Sequence, residues 1–125
     1  MTREQLFAFA REYYGTIPDY PWDSTPDAAV LRNEYGKWYG LVMNLPRSTM
    51  GLQGEGKIDI LNVKSDPMLI SSLIGQEGYF PAYHMNKTYW ISIALDGTVP
   101  NSEVENMLDL SYQLVLPKSK RKQNL

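Results

Sequence analysis

Two rhythms of hydrophobic and polar positions run along this chain, and the places where one gives way to the other mark its elements. Leu6, Ala10, Tyr13 and Tyr14 recur at helical spacing behind Thr2-Arg3-Glu4-Gln5, where Thr2 caps the first turn and Gln5 reaches back, so a first helix is predicted to end near Gly15. Pro18, Pro21 and Pro26 alternate with Asp19, Asp23 and Asp27, which makes 16–28 a loop with at most a short extended piece at 20–22. Period-two alternation then sets in. Residues 30–34 and 38–45 read as antiparallel strands joined through Tyr35-Gly36-Lys37, and 57–64 as another strand after a flexible, glycine-rich connection holding Gly51, Gly54 and Gly56. Ser65-Asp66-Pro67 opens a short helix, capped by Ser65 or Asp66, with Leu69, Ile70, Leu73 and Ile74 on its buried side and Gly75 at its close. Residues 78–81 read as a loop and 89–95 as a strongly β-prone strand. A second capping box at 102–105 starts a last helix to about Leu116, on which Val104, Met107, Leu108, Ser111 and Val115 form one stripe.

This order gives an α+β, two-layer sandwich, with a mostly antiparallel sheet packed on the N- and C-terminal helices. Strict alternation places Leu31, Leu41, Met43, Leu45, Leu61, Val63, Ile91, Ile93 and Leu95 on the core face. The other face then carries Arg32, Glu34, Trp38, Gly40, Asn44, Asn62, Lys64, Trp90 and Ser92. Two tryptophans among cations and amides make an amphipathic platform suited to a planar or polar ligand. Asp59 interrupts the core side and suggests a bulged or edge position.

Composition narrows the chemistry. The 125 residues hold no cysteine and one histidine, so neither disulfides nor a zinc site of several Cys or His ligands can form within the chain. No apolar stretch is long enough to span a bilayer and the N-terminus lacks a signal pattern, so a cytoplasmic monomer is expected, with residues 1–117 as one domain and 118–125 as a basic, disordered tail. The formal net charge is -2. Lys118, Lys120, Arg121 and Lys122 sit in that tail, which leaves the body acidic and confines any phosphate contact to a local basic patch or the tail.

The run Tyr83-His84-Met85-Asn86-Lys87-Thr88-Tyr89-Trp90, with Asp96-Gly97, Pro100 and Ser111-Tyr112 downstream and Tyr20-Pro21-Trp22, Gly36-Lys37-Trp38 and Val63-Lys64-Ser65-Asp66-Pro67 upstream, resembles the YjbR family across nearly the whole chain. That resemblance implies a frataxin-like (CyaY-like) α+β fold and double-stranded DNA as partner.

From the residues themselves, Arg32, Lys37, Lys64 and Lys87 offer cations, Trp38 and Trp90 offer rings for stacking, and His84 and Asn86 sit on the 84–90 rim of the same platform. With the resemblance supplying DNA as the ligand class, the expected function is a non-enzymatic, DNA-binding one using this face. The alternative is a small polar or aromatic metabolite held by the same residues, with at most a weak enzymatic activity. A structural role for Asn86-Lys87 as a turn and for His84 as a cap competes with both. No cofactor motif is found: the glycines of 51–56 precede a strand and lack the Lys-Ser/Thr of a phosphate loop. Catalysis by His84 with Ser92 or Ser111 lacks a nucleophile elbow, and iron, raised only by fold analogy, finds no acidic cluster beyond the turn residues Asp19, Asp23 and Asp27.

Overall fold

A computed structural model of the chain describes residues 1–121. Helix α1, Arg3–Tyr14, begins with the expected capping box at Thr2 and Gln5 and stops at Gly15, whose φ of 68° lets its amide turn back to the carbonyls of Ala10 and Arg11. Strands β1 (Ala29–Arg32), β2 (Trp38–Pro46), β3 (Lys57–Lys64), β4 (Tyr79–Pro81) and β5 (Trp90–Ala94) form one antiparallel sheet in the order β1-β2-β3-β5-β4. Helix α2, Pro67–Leu73, is capped by Asp66, and α3 spans Asn101–Leu114.

Leu6 and Ala10 of α1 and Val104, Met107 and Leu108 of α3 bury against Leu31, Val42, Leu61, Val63, Ile91 and Ile93 of the sheet. This is the two-layer α+β sandwich expected from the element order. The opposite face differs from expectation. It is no open platform, because Leu45, Ile58, Ile60 and Ala94 form a second apolar cluster there, overlaid by Met50, Leu52 and Tyr83 from loops.

The cause is a one-residue irregularity. Leu31 pairs with Gly40 while Arg32 pairs with Trp38, so Tyr39 and Gly40 together oppose Leu31 and the alternation of β2 flips at that point. Beyond it, Leu41, Met43 and Leu45 share the loop-covered face with Trp38, whereas Gly40 and Asn44 face the helices. Glycine suits the bulge because a Cβ at position 40 would stand 3.0 Å from Leu31 Cδ1. Asp59 is neither bulged nor at an edge. It pairs in register with Asn44 and accepts hydrogen bonds from Arg3 at 3.0 and 2.8 Å and from Asn44 at 3.0 Å.

Four further expectations are corrected. Residues 79–81 form edge strand β4 rather than a loop, because their backbone completes the ladder of β5. Helix α3 starts one residue before Ser102 with Pro100 at the cap position and no side-chain cap, so Ser102 to Glu105 is not a capping box. Ile74 follows α2 in extended conformation and is exposed. The 47–56 connection is held, not loose: a 3-10 turn at Arg47–Met50 is followed by hydrogen bonds from Arg47 to the carbonyls of Gly56 (3.0 Å, backbone) and Gln53 (2.9 Å, side chain). Of the tail, Lys118–Lys120 make a 3-10 turn and Arg121 folds back on Leu114 and Leu116, while 122–125 lie outside the described residues. No described helix is long and apolar enough to cross a membrane.

Candidate functional site

Antiparallel pairing of β3 and β5 sets Lys64 directly opposite Trp90, so the ammonium stem and the indole leave the same face side by side. Asn86 fixes the approach to β5. Its side-chain oxygen accepts from the amides of Thr88 at 2.8 Å and Tyr89 at 3.2 Å, and its carbonyl accepts from the Trp90 amide at 2.9 Å. The turn expected at Asn86-Lys87 is therefore present, and it aims Tyr89 and Trp90. Ser65, next to Lys64, donates its amide to the Tyr89 carbonyl at 2.8 Å. These residues wall a cleft of about 410 Å³ at the end of the sandwich, closed on one side by Leu114 of α3.

Ser111, wholly buried behind the cleft, holds the backbone of Lys64. Where β2 and β3 diverge past the bulge, its hydroxyl accepts from the Lys64 amide at 2.9 Å and donates to the Tyr39 carbonyl at 2.7 Å. A small residue on the helix stripe thus replaces the missing rung of the sheet and fixes the backbone of Lys64. Beside it Tyr112 stacks on Tyr14 with centroids 4.1 Å apart and meets Tyr39 edge-on. Burial pushes the Tyr39 hydroxyl up to about 12, and burial, together with a 2.7 Å bond to Asp109, pushes Tyr14 up as well. Both remain neutral donors near neutral pH.

The eight residues singled out in the sequence do not converge on one place. Lys64, Asn86 and Trp90 share the cleft. Lys37 lies on the β1–β2 turn beside an adjoining cleft that also reaches Lys64. Arg32 is bound to Asp19, at 3.1 and 3.2 Å, and lies 5.4 Å from the Trp38 ring, which in turn meets Trp22 edge-on. His84 and Lys87 are exposed beside Tyr83, away from Lys64 and Trp90; His84 also lines a cleft shared with Trp22 and Trp38 and takes a left-handed backbone, φ 57°. Asn62 and Ser92 are spent on structure. The Ser92 hydroxyl donates to the Asn62 side chain and accepts from the Tyr83 amide, and Asn62 donates to the Tyr83 carbonyl. With Ser92 and Ser111 so engaged, neither hydroxyl is held as a nucleophile for His84. Among the described residues no group of three His, Cys, Asp or Glu side chains is placed to hold a metal ion.

Sequence reasoning missed Ser65, Tyr89, Tyr35 and Arg121 as neighbours of the cleft. Ser65 and Tyr89 flank Lys64 and Trp90 in the chain, and that adjacency was the available signal. The Ser65 hydroxyl is buried in the cleft wall and has no hydrogen-bond partner among the described residues.

A five-stranded antiparallel sheet with two long helices on one face, loops on the other and a lateral cleft where the helix-bound strands diverge defines a small α+β domain of a recognisable kind. The chain belongs to the YjbR family, whose model matches residues 11–114. It is 46% identical to Bacillus subtilis YyaQ over 115 residues, covering 91% of this chain and 98% of YyaQ. Escherichia coli K12 YjbR is 36% identical over 66 residues, half of this chain and 56% of that protein. A crystal structure of a Pseudomonas syringae protein superposes with a TM-score of 0.89 at 38% identity, covering 93% of this chain and all of that one.

Proposed function

We propose that the chain is a non-enzymatic binding protein and that the cleft between Lys64 and Trp90 takes a small polar, aromatic ligand. One observation carries this: a cation and two rings line a single concavity, with the buried, unpartnered Ser65 hydroxyl in its wall, on backbone fixed by Ser111 and Asn86. An unsatisfied buried hydroxyl costs about 1–3 kcal/mol, so natural proteins retain one where a ligand or solvent uses it. Small-ligand sites are concave and largely preformed, with a few polar groups setting orientation. Duplex DNA, by contrast, asks for cations spread along a surface, whereas Arg32 is spent on Asp19 and Lys87 faces elsewhere.

The test is an amide NMR titration of the full chain with two probes, nicotinate and adenosine, beside a short duplex DNA at low and physiological salt. Shifts at Lys64, Ser65, Asn86 and Trp90 with either small probe, lost in Tyr89→Ala, are expected. No small-probe shift at these residues, or salt-resistant shifts there with the duplex alone, overturns the reading.

A further inference from the structure

Two clefts meet over Lys64. Lys64 and Leu114 line both the Lys64–Trp90 cleft and a second one, of about 350 Å³, whose lining also includes Tyr35, Lys37 and Arg121. Taken together as one groove, the two adjacent clefts have ends that differ in chemistry. Rings stand at one end, where Tyr89 is 50% exposed beside Trp90. Cations stand at the other, where Lys37 is exposed and Lys64 half-buried.

Arg121 completes the cationic end. The last carbonyls of α3 carry partial negative charge and would repel an anion, but the Arg121 guanidinium caps them, donating to Leu114 at 2.9 Å and to Leu116 at 3.0 Å. That uses two of its donors, and a guanidinium has others to offer in the same plane. Among the described residues Asp66 is the single acid lining either cleft, and its carboxylate accepts from the Met68 amide at 2.8 Å as the cap of α2. At the ring end, the Asn86 side-chain oxygen is taken by backbone amides, which leaves its NH2 to donate.

We infer that the groove takes a nucleoside phosphate, with the base against Trp90 and Tyr89, Asn86 donating to the base edge, and the phosphate on Lys64, Lys37 and Arg121. Stacking on aromatic side chains is tolerant of base identity, and phosphate adds charge-assisted hydrogen bonds from ammonium and guanidinium groups. The inference rests on the binding reading of the Lys64–Trp90 cleft and adds to it the ligand class and the second half of the site. The shared chemistry has two sources, a free nucleotide and the 5′-phosphorylated end of a single strand.

The experiment compares adenosine, adenosine 5′-monophosphate and a 5′-phosphorylated single-stranded tetranucleotide on the full-length chain by indole fluorescence and amide NMR. The monophosphate is expected to bind at least about tenfold more tightly than adenosine. Lys37→Ala with Arg121→Ala should remove that gain and leave adenosine unmoved. Equal affinity for the monophosphate and the tetranucleotide assigns the site to free nucleotides; a further tenfold gain for the tetranucleotide assigns it to strand ends. Should adenosine and its monophosphate bind alike, or the double variant keep the difference, the nucleotide assignment fails while the cleft reading stands. Nicotinate shifts without any from the nucleotides separate the two in the same way, since only the class is then lost.

Discussion

Helices cover one face of the sheet and loops cover the other, and different forces hold the two coverings. On the helix side, contact is between apolar side chains in register with a 3.6-residue stripe: Leu6, Val104, Met107 and Leu108 against Leu31, Val42, Leu61 and Ile93. On the loop side the apolar cluster is smaller, and the loops over it are fastened by polar bonds to single points, Asn62 and Ser92 to the Tyr83 backbone and Arg47 to Gln53 and Gly56. A stripe that recurs is redundant; a single pin is not. The cleft lies where the two regimes meet, lined by Leu114 of α3 and by Asn86 and Tyr89 of a loop.

If that contrast holds, the largest effect should come from the helix face. Leu108 is wholly buried, and Leu108→Ala should lower global stability by about 3–4 kcal/mol in denaturant unfolding, since both the transfer energy and the residual cavity count. Leu45→Ala, on the loop face and 8% exposed, should cost about 2 kcal/mol because loops collapse into a cavity more readily than helices. Equal losses would show that the loop layer is packed as rigidly as the helices.

Ser111→Ala comes next. It orphans the Lys64 amide and the Tyr39 carbonyl at once, at a cost of about 2–3 kcal/mol, and should speed hydrogen exchange at Lys64 more than elsewhere in β3. Uniform exchange along β3 would remove Ser111 as the rung between the strands. Asn62→Ala should be smaller globally, about 1–2 kcal/mol, but local in character: the Tyr83 segment should loosen while α1 and α3 keep their protection. Simultaneous loss of protection in the helices would mean that the two coverings are one cooperative unit.

The same contrast explains how far the sequence could be read. The capping box at Thr2, the Asp66-Pro67 start and the stripe on α3 are local signals, each decided within four or eleven residues, and each reappears in the structure. The face of Leu41, Met43 and Leu45 was not legible, because a single extra residue at Tyr39–Gly40 inverts everything after it and nothing local announces it. Strand β4 is short and its identity depends on a partner, β5, nine residues on. Of the candidate site, Lys64, Asn86 and Trp90 were legible as residue types. Their separation from Arg32, Trp38, His84 and Lys87 was not, since it follows from how loops cross a face that strict alternation left open.

The smallest effect concerns the bond that ties α1 to the sheet. Burial alone would raise the Asp59 carboxyl, but hydrogen bonds from Arg3 and Asn44, with the Arg3 charge, outweigh it and hold the carboxyl below its ordinary range. A carboxyl depressed in the folded state binds protons more readily when unfolded. Its stabilisation is therefore full above the unfolded value, near pH 4, and is lost as the pH falls through the lower folded value. Arg3→Ala should flatten this part of the acid-unfolding profile while leaving the slope between pH 6 and pH 8 unchanged. An unaltered acid limb would show that Asn44 and burial, not the guanidinium, set the Asp59 carboxyl. The Arg3–Asp59 bond would then tie α1 to the sheet without adding to its pH dependence, as the Ser111 bonds do for α3.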